Sequence, residues 1–356
     1  MGMPSVNISF TEKAVQSVQR SQRGIVAMIL KDTVPEQNPV TVFDTTDIPA
    51  SLASDNKYQI ALALMGYVKA PKKVIVYVLP EDATDYNEAL NYLETERFDY
   101  LVIPTVETDG ETQTIVSWIK AQRENDKKCK AVLPNTKADT EGVINVTTKE
   151  FKVGETVYNA EQYCARIAGL IAGTPLTISC SFAPLYELTD CARLTKEQMI
   201  AAADAGELIV FNDGEKVKVC KGVNSLTTTT ADKGSQFKKI KIVEAMDMIY
   251  DDIKKTVEDS YLGKYANNYD NKCLLISAVG GYFEQLILDG IISKYTIEID
   301  IAAQKAFLKS IGQDVENMSD NEIKVADTQD KVFLKAAVNI LDAIEEIYLP
   351  ITSRIL

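Results

Sequence analysis

Residues 74–79, Val-Ile-Val-Tyr-Val-Leu, form an unbroken apolar run. That is the pattern of a strand buried on both faces of a parallel sheet, where neither side alternates with solvent. Similar short runs recur at Gly24–Leu30, Val40–Phe43, Tyr100–Val106, Ala131–Leu133 and Val143–Thr147. Between them, helical spacing marks Asn56–Val68, Asp85–Thr95, Glu111–Arg123 and Asn159–Ala172. This alternation over about 24–175 predicts an open α/β sheet wound with helices.

The second half changes character. Thr195–Ala205 reads as a helix and Glu207–Phe211 as a strand. Asn212-Asp213-Gly214 then turns the chain into Lys216–Cys220, a hairpin signal because Asp-Gly tolerates positive φ. Gly222–Thr230 (GVNSLTTTT) reads as a polar connection. A long amphipathic helix follows, with Ile240, Val243, Met246, Ile249, Ile253 and Val257 on one stripe. Asn271–Leu288 is a second helix, apolar over most of its surface and expected to be buried. Thr296–Ile301 reads as a strand, Ala302–Ile311 as a short helix, and Val332–Leu341 as a strand with Val332, Leu334, Ala336, Val338 and Ile340 on one face.

Both ends carry alternating strands. Val6, Ile8 and Phe10 point one way near the N-terminus. Ile347, Leu349, Ile351 and Ile355 do so at the C-terminus, where Pro350 restricts the segment to an edge or an interrupted strand. Each is either an edge strand of its own subunit or an arm donated to a neighbour.

Composition narrows the function. The 356 residues allow two or three domains. There are 38 basic and 51 acidic residues, a net charge of −13, which disfavours general binding to phosphate backbones or anionic lipid surfaces. The chain has no histidine, so Ser-His-Asp and Cys-His nucleophiles and histidine-ligated zinc are excluded. Six scattered cysteines form no CxxC and read as small buried thiols of a reducing cytosol. The first residues lack the charge and apolar run of a secretory signal, and no apolar stretch is long enough to span a bilayer.

No phosphate-binding glycine motif follows any predicted strand. Gly280-Gly281 lies inside a helical pattern, where close helix packing explains it. Asp44 and Asp47, after the Val40–Phe43 strand, fit turn and cap positions better than a phosphoacceptor or magnesium site. The adjacent pairs Asp251-Asp252 and Glu345-Glu346 read as solvated faces. Between Glu81 and Glu111 there are ten acidic residues and one basic residue, a solubilising outer surface. No catalytic or metal-binding constellation emerges, and no cofactor is implied.

Several segments occur in a specific order: Tyr163–Thr174 (YCARIAGLIAGT), Leu194–Phe211 (LTKEQMIAAADAGELIVF), Lys221–Thr228 (KGVNSLTT), Ile240–Tyr265, Asn271–Gly290 and Lys331–Ile347. Together they resemble the contractile tail-sheath proteins of bacteriophages and R-type bacteriocins, in particular the compact sheaths of Gram-positive prophage-like particles. Lys221 stands where the family signature has arginine. The resemblance implies a subtilisin-like open α/β middle domain without catalytic residues and a C-terminal α+β sheath domain. The implied division is an N-terminal arm (1–20), an α/β domain (21–175), a sheath domain (176–345) and a C-terminal arm (346–356).

It also implies a structural subunit, not an enzyme. Such subunits stack as hexameric rings around an inner tail tube protein, meet baseplate and tail terminator proteins, and bind neither nucleic acid nor membrane. They assemble in the bacterial cytoplasm and leave in a particle released on lysis. Arms carrying Val6, Ile8, Phe10, Ile347, Leu349, Ile351 and Ile355 would link neighbours. Lys305 and Lys309, four residues apart on one helix face, offer positive charge for the tube. The alternatives are a cytosolic α/β enzyme or nucleotide-binding protein with an unrecognised site, and a plain oligomeric binding module.

Overall fold

The computed structural model describes residues 17–20 and 23–353. These fall into two compact bodies, one built from 23–248 and 342–353 and the other from 17–20 and 249–341. The larger body is organised by a seven-stranded sheet. Its strands are β1 (Ile25–Lys31), β2 (Val40–Val42), β3 (Lys73–Leu79), β4 (Tyr100–Val102), β5 (Lys130–Pro134), β6 (Val143–Val146) and β10 (Glu207–Leu208). Their order is β10-β6-β5-β4-β1-β3-β2, parallel throughout except for β2, which runs antiparallel to β3.

Alternation along buried strands feeds two separate cores. Val26, Met28 and Leu30 of β1, with Val74, Val76 and Val78 of β3, face α1 (Ser54–Leu64) and α4 (Ala160–Ala172). Ile25, Ala27 and Ile29, with Ile75, Tyr77 and Leu79, face α2 (Asn87–Thr95) and α3 (Thr112–Glu124). An apolar run without alternation is what a sheet covered on both faces requires.

The helix α4 is apolar nearly all round and buried along almost its whole length. Asn159 caps it, accepting from the Gln162 N–H at 2.9 Å, and Gln162 returns a bond to the Asn159 N–H. Arg166 crosses the core to bond Glu187 at 2.7 Å and the Gly66 carbonyl at 2.7 Å. Gly169 sets the approach of α4 to α1, since a Cβ there would sit 1.9 Å from the Ala63 carbonyl oxygen.

Several expectations are corrected. The Tyr100–Val106 run leaves the ladder after Val102, and Pro104 has no N–H with which to continue it. Glu207–Phe211 is not one strand. It breaks at Ile209, so that β10 joins the parallel sheet while β11 (Val210–Asn212) pairs with β12 (Val217–Val219) across the expected Asp-Gly turn. A hairpin of β7 (Phe151–Val153) and β8 (Thr156–Tyr158), with β9 (Asp190–Cys191) beside β7, was not anticipated. Residues 180–219 contribute to the same core as β1 and α4, so they pack with the α/β sheet rather than with a separate C-terminal domain.

The Gly222–Thr230 connection is also more than a linker. Asn224 and Ser225 are buried, and their polar atoms are matched locally. Asn224 donates from Nδ2 to the Phe237 carbonyl at 2.7 Å, and Ser225 donates from its hydroxyl to the Thr140 carbonyl at 2.9 Å. The Asp139 carboxylate accepts from the Thr227 and Thr228 N–H groups at 2.7 and 2.9 Å. Gly206, at φ +71°, makes the turn after α5 (Lys196–Asp204); a Cβ there would lie 2.9 Å from the Asn224 carbonyl oxygen.

The helix α6 (Ile240–Ser260) starts in the larger body and continues in the smaller one. The smaller body adds α7 (Tyr269–Leu288), β13 (Ile292–Ile299), α8 (Ile301–Ser310), α9 (Asp320–Val325) and β14 (Leu334–Ile340). Strands β13 and β14 form an antiparallel two-stranded ribbon of their own. Gly280 lies over Tyr295 and Ile297 of this ribbon, so the glycine serves helix–sheet contact rather than helix–helix packing, while Gly281 faces open space. The helix α7 is buried along one side only; Leu288 on the other side is exposed. Asp252 is not solvated as expected: it is fully buried and accepts from the Tyr282 hydroxyl at 2.8 Å.

The close α1–α4 crossing has a measurable consequence. Gly169→Ala should destabilise the protein by about 1–3 kcal/mol or more, because the obstructing atom is backbone and cannot rotate away. Gly281→Ala should stabilise by up to about 1 kcal/mol, since it only improves helix propensity. Denaturant unfolding of the two variants checks both signs.

Candidate assembly surfaces and a buried charge cluster

The residues first considered for chemistry are used structurally. Asp44 caps a short 3-10 turn, accepting from the Thr46 N–H at 2.7 Å, and Asp47 accepts from the Phe43 N–H at 2.9 Å. All six cysteines are free thiols, four of them buried. Burial pushes the Cys129 thiol up to about 11 and the Cys180 thiol to about 12, away from nucleophilic thiolate. Among the described residues no His/Cys/Asp/Glu group is arranged to hold a metal ion, and no helix is long and apolar enough to cross a membrane.

The densest electrostatics lies where α6 meets the sheet. Lys130 on β5 is 1% exposed, and its Nζ lies 2.8 Å from both Glu244 Oε1 and Asp247 Oδ2 of α6. Arg123 at the end of α3 forks onto Asp247 with two bonds of 3.0 Å and approaches Glu141 at 3.6 Å. Lys233 reaches the same Glu141 at 2.9 Å. On the other side, Arg23 pairs with Glu244, which also accepts from the Tyr100 hydroxyl. Burial alone would raise the carboxyl of Glu244; the charges of Arg23 and Lys130 outweigh it and hold that group well below its ordinary range. Lys130 and Arg123 do the same for Asp247. Periodicity could not reveal this cluster, because the stripe on α6 was assigned from its apolar residues. The available signal was the pair Glu244 and Asp247, three apart beside that stripe.

The C-terminal segment carries the second feature. After β14 the chain returns to the larger body, where Lys239 pairs with Asp342. Glu345 accepts from the Ser181 hydroxyl at 2.6 Å and lies 3.8 Å from Lys239, so it is an anchor and not a solvated face. Beyond that anchor, residues 347–353 of the expected strand form no ladder with any described residue. Ile347, Leu349 and Ile351 are 80%, 72% and 82% exposed. Val6, Ile8, Phe10 and Ile355 lie outside the described residues.

Lys305 and Lys309 both lie on α8, which Asp300 caps by accepting from the Ala303 N–H at 3.0 Å. Lys309 is exposed and 3.3 Å from Glu316, while Lys305 is half-buried.

Comparison with known proteins places this arrangement. Residues 81–225 match the phage tail sheath protein central domain, and residues 232–354 match the phage tail sheath C-terminal domain. The chain is 42% identical to the tail sheath protein of Clostridium phage phiCD119 over 97% of its own length and 98% of that protein. It shares its fold with the sheath tail protein of Desulfitobacterium hafniense, at a TM-score of 0.69 and 22% identity, covering 83% of this chain and 94% of that one. The helical sheath of the anti-feeding prophage in its contracted state gives a TM-score of 0.73 at 16% identity, over 99% and 100% of the two chains. Two sheath-domain matches and a full-length relative define a structural component, not an enzyme. This chain belongs to the phage tail sheath family and is a structural subunit of a contractile tail sheath.

The charge cluster predicts both a magnitude and a pH dependence. Lys130→Met removes the cation shared by two buried carboxylates and should cost about 3–5 kcal/mol at neutral pH. Because the folded-state values of Glu244 and Asp247 are depressed, the stability they supply is complete above the ordinary carboxylate range. It is lost as pH falls through that range towards their folded values. The difference between wild type and Lys130→Met should therefore shrink between pH 7 and pH 3 in denaturant titrations. A difference independent of pH would locate the loss in packing.

Proposed function

We propose that this sheath subunit polymerises as stacked hexameric rings around an inner tail tube, with its terminal arms adding strands to neighbouring subunits. Contraction of the lattice then drives the tube through a bacterial envelope. The observation that carries the linking role is the segment around Ile347, Leu349 and Ile351, exposed apolar side chains on alternate residues with no partner strand among the described residues. A suitable acceptor exists in every copy. Among the described residues the β13–β14 ribbon has two strands, so each strand has an edge that no described strand pairs with. Strand addition would satisfy those backbone groups, with the alternating side chains setting register. Burying three such side chains contributes about 5–9 kcal/mol as an upper bound.

The arms carrying Val6, Ile8 and Phe10 at one end and Ile355 at the other extend the same reading. The α/β body acts in it as a subtilisin-like scaffold without catalytic residues. Particles of this kind, phage tails or tailocins, would assemble in the cytoplasm with baseplate and terminator proteins and leave on lysis. The helix α8, through Lys305 and Lys309, is the proposed tube contact on a chain that is otherwise acidic.

Two experiments test this reading. Deleting residues 347–356, or 1–11, should leave a soluble protein with near-normal thermal unfolding that no longer polymerises, as seen by negative-stain microscopy. Regular sheath tubes from either truncation would remove that arm from the linking role. Lys305→Glu combined with Lys309→Glu should let empty sheath form but abolish decoration of tubes, and the wild-type interaction should weaken with added salt. Unchanged tube decoration by the double variant would exclude α8 as the contact.

A further inference from the structure

The larger body holds a cleft of about 750 Å³ along the C-terminal ends of β5 and β6, with α5 forming one wall. Ligands of open α/β sheets bind outside this edge of the sheet. Ala201, Ala202 and Ala205 present a low wall on the α5 side, and Lys137, Lys149 and Arg193 stand around the opening. Glu207 is the single carboxylate in the lining and lies 3.7 Å from Lys137. Arg193 also pairs with Asp190 at 3.0 Å, while Lys149 is exposed with no ion pair among the described residues, so the cleft keeps a positive excess on a chain whose net charge is −13. Asn145 is fully buried in the cleft lining, its Oδ1 accepting from the Thr136 N–H at 2.7 Å. Its Nδ2 donor has no partner among the described residues. The cleft thus offers positive charge and a spare donor, which suits a carboxylate-bearing segment.

The same body supplies such a segment. Glu81, Asp82 and Asp85 are exposed on the turn that follows β3, and no ion pair reaches them among the described residues. In the sheet order, β3 lies four strands from β6, roughly 19 Å away at about 4.8 Å per strand. Cleft and turn are therefore different patches near opposite ends of one sheet. Complementary patches so placed make a head-to-tail contact, which closes into a ring or winds into a helix.

We infer that the Glu81–Asp85 turn of one subunit docks in the Lys149/Arg193 cleft of the next, a contact between α/β bodies separate from any strand exchange. This rests on the sheath reading, which supplies the requirement for repeated contact between copies.

Charge reversal on each side tests it. One variant carries Lys149→Glu and Arg193→Glu, a second carries Glu81→Lys and Asp82→Lys, and a third carries all four. Each two-site variant should raise the concentration needed for assembly about tenfold, as expected when interfacial charges are set against like charges, while unfolding at an unchanged temperature. The four-site variant should recover most of that loss. Sedimentation velocity at low salt reads the same contact without a tube: at a concentration just above the wild-type threshold, wild type should associate beyond a dimer and both two-site variants should not. Two-site variants that associate like wild type would overturn the inference, as would a four-site variant with no recovery or a wild type that stays monomeric or stops at a dimer. Failure of the arm deletions with successful charge rescue would instead count against strand linkage and leave this contact standing.

Discussion

The shared ammonium of Lys130 is the interaction on which the larger body depends. It sits at the sheet, fully buried, with a carboxylate of α6 on each side. Removing two carboxylates and an ammonium from water is expensive, and the arrangement is tolerable only because each carboxylate has further partners. Arg23, just before β1, takes one; Arg123, at the end of α3, takes the other. One helix is thereby tied at a single level to the start of β1, to β4 through Tyr100, to β5 and to α3. An apolar replacement could hold α6 against the sheet with equal strength, but it would accept small rotations of the helix. Two carboxylates three residues apart, each facing its own cations, do not.

What the sequence disclosed follows from burial geometry. The parallel strands were legible because a strand covered on both faces has no polar face to confuse the period, as in Val74–Leu79. Helices with capping boxes were placed within a residue or two, as with Asn159 before α4 and Thr195 before α5. Failures came where one residue served two environments. Ile209 sits between two sheets, so Glu207–Phe211 reads as one strand although its halves pair differently. Asp252 and Glu345 read as solvent-facing because neighbouring acids usually are; long-range partners, Tyr282 and Ser181, decide otherwise. No local pattern predicts a partner that far away in sequence.

The Lys221–Thr228 signature shows why a polar motif can be a core element. Asn224 and Ser225 are inside because their hydrogen-bonding groups are matched to the Phe237 and Thr140 carbonyls and to the Val143 carbonyl. Apolar residues of similar size would take the side-chain donors from the Phe237 and Thr140 carbonyls, which costs more than the burial returns. Composition alone marks such a segment as a loop. Only its role as a strap between β6, the Asp139 turn and the start of α6 explains the residue types.

A subunit with a charge of −13 repels its copies at long range, so cohesion must come from contacts that act at short distance. The proposed pairing of the apolar C-terminal segment with a ribbon edge would meet that requirement, since backbone hydrogen bonds and apolar burial depend little on ionic strength. Leaving these edges exposed would invite aggregation in a neutral protein. Here the net charge opposes indiscriminate edge pairing, and Glu345 with Asp342 fixes where the segment leaves the body. Repulsion and the proposed strand exchange would therefore be complementary: the first keeps free subunits apart, and the second prevails once a growing end brings several contacts to bear at once. Salt should shift this balance in a definite direction. Screening weakens the repulsion among all copies while leaving backbone pairing intact, so linkage through the arms should strengthen, or at least persist, under conditions that weaken contacts made by charge alone.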